Sequence, residues 1–242
     1  MSRAAVVLSL LAVLSLLAAA PTASAQQASA AEPVVLTVYS DYACPWCYLG
    51  NGRLNALVEE YDVQVEYVHF SLNPSVPPEG LRLADYFGGG DEGAARVKAS
   101  HSRLKELTDQ QGLPLRQRDH TYNTRKAQEL ASWAAEQGKG LAFHQATFRA
   151  LFAEGKNIAS TPVLLDIADS VGLSRRGARR VLKSGSHAAK VEADWAASDA
   201  VSIETVPSFH CGEYWVIGVH GPEIFRELVE KAGAKKRTQS GR

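Results

Sequence analysis

Val34-Val35-Leu36-Thr37-Val38-Tyr39-Ser40-Asp41-Tyr42-Ala43-Cys44-Pro45-Trp46-Cys47 joins an apolar, β-branched run to two cysteines separated by two residues. The run reads as a strand and the segment beyond it as a helix, so the C-x-x-C falls where a strand hands over to a helix. A cysteine at a helix N-terminus faces unpaired backbone N–H groups and the positive end of the helix dipole, which stabilise a thiolate. The second cysteine lies within one turn, close enough to form a disulfide with the first. Such a pair can cycle between dithiol and disulfide through a mixed disulfide on Cys44. Two other readings exist. A static bridge closing so short a loop constrains little of the unfolded chain and contributes little stability. A zinc site needs two more ligands, and the remaining cysteine, Cys211, brings only the adjacent His210. Metal: none is the expectation from this spacing.

The N-terminus bears on compartment. Met1-Ser2-Arg3 supplies one positive charge, Ala4 to Ala20 is an uninterrupted run of Ala, Val, Leu and Ser, and Pro21-Thr22-Ala23-Ser24-Ala25 ends in a small-x-small pattern. This reads as a secretory signal over 1–25 with cleavage after Ala25; the rival is an uncleaved N-terminal anchor at the lower edge of membrane-spanning length. Residues 26–33 read as a mobile leader. The expected location is therefore secreted or periplasmic, with a membrane contact only if the N-terminal segment is retained. An oxidising compartment suits a C-x-x-C that starts its cycle as a disulfide. Acidic and basic residues balance at 26 each, which argues against nucleic acid as a partner.

Beyond the cysteines, the pattern is split. The helix after Cys44 extends to about Glu60, and Val63 to Leu72 is β-branched and aromatic, a second strand. Asn73 to Gly80 breaks regular structure. From Leu81 to Ala200 the chain reads as helical almost throughout, with helices over Ala94–Gln110, Thr124–Gln137, Leu141–Phe152, Val163–Val171, a short basic one capped by Ser174, and His187–Ala200. Strand character returns at Thr205–His210 and Tyr214–Ile217, followed by a helix over Pro222–Ala232. A β-α-β unit, a helical stretch, then β-β-α gives an α/β fold of thioredoxin type with a helical domain inserted in its middle. The expected division is 34–80 and 201–232 for the two thioredoxin-like halves, 81–200 for the insertion and 233–242 for a polar tail.

Asp41-Tyr42-Ala43-Cys44-Pro45-Trp46-Cys47-Tyr48-Leu49-Gly50 resembles the active-site segment of the DsbA-like thiol oxidoreductases, and within them the FrnE-type branch. Asn123-Thr124 with Ala127 and Leu130, the segment Phe143–Leu173, and Val206-Pro207-Ser208-Phe209 carry the resemblance further. It implies catalysis by Cys44 and Cys47, with Cys44 the exposed nucleophile and Cys47 the more buried resolving thiol. Pro45 and Trp46 then tune the site, and Pro207 is a cis-proline packed against the C-x-x-C, so that Val206 and Pro207 bind substrate as an added strand. One departure is Gln128, where family members commonly have His. Trp46 lacks the donor that a His before the second cysteine supplies, so the reduction potential is expected between roughly −120 and −270 mV. Trp46 and Tyr48 are candidates for an apolar client platform.

Cys211, at a hairpin turn, is expected to be a partly exposed free thiol, and the histidines show no convergent spacing. The function expected is extracytoplasmic thiol-disulfide exchange, oxidase or isomerase rather than reductase. Its partners are client proteins with cysteine thiols or disulfides and a separate redox partner, and its cofactors are none, since the disulfide carries two electrons. Two alternatives are a glutathione-dependent isomerase or transferase of the kappa type, whose motif commonly has Ser in place of Cys44, and a non-enzymatic holdase stapled by its C-x-x-C.

Overall fold

The computed structural model describes residues 33–238. The expected signal, nearly all of the leader and the last four residues of the tail lie outside the described residues. The chain runs β1 (Val34–Ser40), α1 (Pro45–Glu60), β2 (Val63–His69), β3 (Leu81–Arg82), α2 (Leu83–Tyr86), α3 (Gly90–Gln110), β4 (His120–Thr121), α4 (Arg125–Glu136), α5 (Gly140–Phe152), α6 (Thr161–Ser170), α7 (Arg175–Ser184), α8 (Ala188–Ala200), β5 (Ser208–Cys211), β6 (Tyr214–Ile217) and α9 (Pro222–Lys231).

The main sheet has the order β2-β1-β5-β6. β1 and β2 are parallel, in register from Val34 opposite Val63 to Ser40 opposite His69. β5 is antiparallel to both β1 and β6. The parallel first half and antiparallel second half are those of a thioredoxin-like fold, with the helices α4–α8 inserted between them. Side chains alternate across β1, so Leu36 and Val38 point to one face, where they meet Leu54 and Leu57 of α1, Phe209 of β5, and Phe225 and Leu228 of α9. Removing a side chain of this size from water contributes about 1.5–3 kcal/mol, which makes this layer the anchor of the sheet half.

A second apolar cluster belongs to the inserted helices. In α4, Ala127, Leu130, Ala131 and Ala134 recur at helical spacing and are fully buried against Phe143, Phe148 and Leu151 of α5. Ser174 caps α7 by accepting the Gly177 N–H at 3.2 Å, and Gly185 ends it in the left-handed region. Tyr39, Tyr42, Cys44, Cys47 and Tyr48 belong to this second cluster and not to the sheet's. The dithiol therefore sits at the seam between the two halves of the molecule.

Three expectations need correction. β2 stops at His69: Phe70 still donates its N–H to the Ser40 carbonyl as the last backbone bond to β1, and beyond it Leu72 donates to the Asp41 side chain instead. The stretch 81–200 is not wholly helical: β3 and β4 pair as a two-stranded ribbon, Leu81 opposite Thr121. Cys211 is not partly exposed. It shares the inward phase of β5 with Phe209, two residues earlier, and is fully buried, its thiol donating to the Val35 carbonyl at 3.4 Å.

Candidate active site

Cys44 is the N-cap of α1, with Pro45 in the first turn where its missing N–H costs nothing. The Cys47 N–H donates to the Cys44 sulfur at 3.4 Å, so the sulfur is the acceptor at the positive end of the helix. The Cys44 thiol in turn donates to the Val206 carbonyl at 3.4 Å. The Val206–Pro207 peptide bond is cis. Sequence positions 162 residues apart thus meet at one atom. Helix α1 approaches this loop closely at Gly50, where an added Cβ would lie 3.2 Å from both Pro207 and Phe209.

Both cysteines are withdrawn from bulk water, Cys44 at 4% exposure and Cys47 at 2%. The expectation of an exposed Cys44 is corrected to a sulfur on the wall of a cleft. That cleft has a volume of about 430 Å³ and is bounded by Cys44, Trp46 and Val206 on the dithiol side and by residues of α2, α3 and the 115–122 segment beyond. Cys47 differs in chemistry. Burial pushes its thiol well above the ordinary range, and its hydrogen bond and charge interaction with Cys44 push the same way. At neutral pH Cys47 is therefore held as a thiol. Trp46 stays partly exposed on the cleft, whereas Tyr48 is buried, stacked on Phe152 with ring centroids 4.9 Å apart and donating its hydroxyl to the Pro114 carbonyl at 2.6 Å. Tyr48 is thus a packing residue, not a client platform.

Asp41, three residues before Cys44, is the group that sequence reasoning left without a role. Its backbone carbonyl accepts the Cys44 N–H at 3.1 Å. Its buried carboxylate accepts four side- and main-chain donors: the Ala43 N–H at 2.6 Å, the Leu72 N–H at 3.1 Å, the Thr124 hydroxyl at 3.2 Å and the Gln128 amide at 3.4 Å. Burial nonetheless dominates and raises its pKa to about 6, with those hydrogen bonds opposing. Gln128 extends the network. Its amide also donates to the Phe70 carbonyl at 2.8 Å, and its carbonyl accepts the Trp195 indole N–H at 2.9 Å. Gln128, the departure from the family pattern, thus ties α4, α8, the β2 exit and the dithiol loop together. The available signal was an acid in an otherwise aromatic and small-residue segment beside the motif.

His69 and His144 are buried together with ring centroids 5.7 Å apart, and burial lowers both pKa values, that of His69 to about 4. They are neutral packing groups. Among the described residues no cluster of three or more His, Cys, Asp or Glu side chains could hold a metal ion, and no helix is long and apolar enough to cross a membrane.

A sheet of this order, a cysteine pair at the start of α1 and a cis-proline loop on its sulfur define the thioredoxin class with an inserted helical region. Residues 35–230 match the DSBA-like thioredoxin domain, and the chain belongs to that family. The chain is similar to the uncharacterized protein YwbO of Bacillus subtilis, 26% identical over 207 residues covering 84% of this chain and 99% of that one. Among solved structures it resembles a probable DsbA oxidoreductase of Streptomyces coelicolor, with TM-score 0.75 and 25% identity over 82% of this chain and 89% of the other. It also shares its fold with a 2-hydroxychromene-2-carboxylate isomerase, with TM-score 0.64 and 18% identity over 82% and 94% of the two chains.

Proposed function

We propose that the protein is an extracytoplasmic thiol-disulfide oxidoreductase of the FrnE-type branch, acting as a disulfide donor or isomerase toward cysteine-containing client proteins. The observation that carries this reading is the Cys44 sulfur, held at the α1 N-terminus, touching Val206 and facing an open cleft. In the oxidising direction a client thiolate attacks Cys44 Sγ and the Cys44–Cys47 bond breaks. Cys47 leaves with the electron pair and takes a proton, as its raised pKa favours. A second client thiolate then attacks the client sulfur of the mixed disulfide. The client disulfide forms, Cys44 departs as thiolate, and two electrons have passed to the protein. Val206 precedes β5, so its N–H is not engaged in the sheet and suits pairing with an extended client. A second protein or small-molecule oxidant restores the disulfide.

The kappa-type reading is disfavoured by the paired cysteines, since a glutathione-activating site has no use for a resolving thiol at Cys47. The signal-like N-terminus supports action outside the cytoplasm. The test is the Cys44–Cys47 reduction potential, obtained by equilibrating mature Cys211→Ser protein with glutathione buffers. It is paired with re-formation of disulfides in a reduced, unfolded client. A potential well above thioredoxin's together with client oxidation supports the donor or isomerase reading. A potential near thioredoxin's, near −270 mV, turns it toward a reductase. No reversible transition leaves a static pair.

A further inference from the structure

The cleft beside Cys44 is mostly apolar, yet its wall carries a guanidinium with no anionic partner. Arg118 lies over the Phe152 ring with its Cζ 4.2 Å from the centroid, and among the described residues its guanidinium makes one hydrogen bond, a long 3.5 Å contact to the His120 carbonyl. Among the described residues no carboxylate stands within ion-pair distance of it. Asp41 shares the cleft but its oxygens are taken by four donors, and Glu204, which also lines it, is exposed. A cation packed into such a place is unfavourable unless something compensates it. The position is built, not accidental. The segment carrying Arg118 is clamped at Pro114 by the Tyr48 hydroxyl and at Arg116, whose N–H donates to the Phe152 carbonyl at 2.8 Å. Burial lowers the pKa of Arg118 to about 10, with Tyr122 and Cys44 acting to raise it. A second, polar cavity of about 420 Å³ adjoins the first and shares Arg116, Arg118 and Tyr122 with it.

We infer that the cleft selects thiol or disulfide substrates that carry a carboxylate beside an apolar group, with Arg118 binding the carboxylate and the Trp46 side of the cleft taking the apolar part. The inference rests on Cys44 being the exchanging sulfur. A planar guanidinium matches a carboxylate through two parallel N–H donors, and the low-polarity surroundings strengthen that contact. In a client polypeptide the matching pattern is an acidic residue and an aromatic one close to the reacting cysteine.

The test uses reduced Cys211→Ser protein and two aryl disulfides: 5,5′-dithiobis(2-nitrobenzoate), which is anionic, and 4,4′-dithiodipyridine, which is neutral. In each, the Cys44 thiolate attacks the reagent and expels one aryl thiolate. Cys47, losing its proton to water, then closes the protein disulfide and expels the second. Stopped-flow rates are compared for the parent, Arg118→Met and Arg118→Lys. The expected result is a loss of at least about tenfold for the anionic reagent in Arg118→Met, the lower range for one charge-assisted contact. The neutral reagent reports any change in the reactivity of Cys44 itself, so the fall is read in the anionic-to-neutral rate ratio, and Arg118→Lys should recover part of it. Equal slowing of both reagents, or of neither, overturns the inference while leaving the exchange activity intact; no reaction of the parent with either reagent overturns the exchange reading itself and the inference with it. Oxidised protein is then offered two cysteine peptides differing only in Glu or Gln beside an aromatic residue. Preference for the Glu peptide that disappears in Arg118→Met identifies polypeptides as the source of the carboxylate. Discrimination confined to the aryl reagents supports a small acidic thiol.

Discussion

Replacing Asp41 by Asn should change how stability depends on pH, in a direction opposite to that of an ordinary buried carboxylate pair. The pKa of Asp41 is raised from 3.8 to about 6 by burial. Between these values the folded protein holds a proton on Asp41 that the unfolded chain has released, so this group adds stability as pH falls. Integrating the linkage from pH 7 gives about 1 kcal/mol gained at pH 5 and about 2 kcal/mol at pH 4. Asn cannot titrate and lacks this gain. His69 and His144 work the other way: with folded pKa values below the unfolded value, they lose stability as pH falls through the unfolded pKa near 6.5. That loss is common to both proteins and cancels in the difference. The assay is urea unfolding of parent and Asp41→Asn at several pH values between 4 and 7.5, in the dithiol state. The variant carries a constant offset, because its amide nitrogen faces donors from Leu72, Thr124 or Gln128 where an acceptor is needed. The stability advantage of the parent over the variant must widen toward acid by about 2 kcal/mol. A flat difference, or one that narrows toward pH 4, refutes the reasoning, for the four hydrogen bonds would then outweigh burial.

Offered a disulfide-bearing client, Cys47→Ser should accumulate a covalent mixed disulfide as its Cys44 thiolate attacks the client disulfide and expels one client thiolate, visible on non-reducing gels, and Cys44→Ser should form none. Gln128→Leu removes the acceptor of the Trp195 indole and a donor to the Phe70 carbonyl. It should lower unfolding free energy by about 1–3 kcal/mol by leaving partly buried groups unpaired, measured by urea unfolding. Gly50→Val crowds Pro207 and Phe209, already 3.2 Å from an ideal Cβ, and should cost about 1–3 kcal/mol of stability. Client oxidation should slow as the Val206 carbonyl is displaced from Cys44; unchanged rates would count against that loop as a substrate surface.

Local patterns carried the elements that depend on local physics. The apolar spacing of α4, the Ser174 cap of α7 and the proline after Cys44 each act within a turn or two, and each was legible. The β3–β4 ribbon was not, because two-residue strands have no period to detect. Cys211 was misjudged because a turn follows it, whereas its burial is set by the phase it shares with Phe209. The cysteines and Pro207 were found from motif and resemblance. Arg118 and the Asp41–Gln128 network depend on contacts across dozens of residues, and an arginine in the polar run Arg116 to His120 carries no mark of the aromatic floor beneath it.

The shared core of the dithiol and the inserted helices bears on how such proteins diverge. A loop that merely decorates a sheet can be lengthened or replaced without consulting the chemistry below it. Here Thr124 and Gln128 hold the carboxylate that holds Ala43, and Cys44 packs among side chains supplied by the insertion. A substitution at Thr124 or Gln128 therefore also reaches the loop that carries the dithiol. The inserted helices and the dithiol loop are therefore one packing unit, and neither can be altered there without reaching the other.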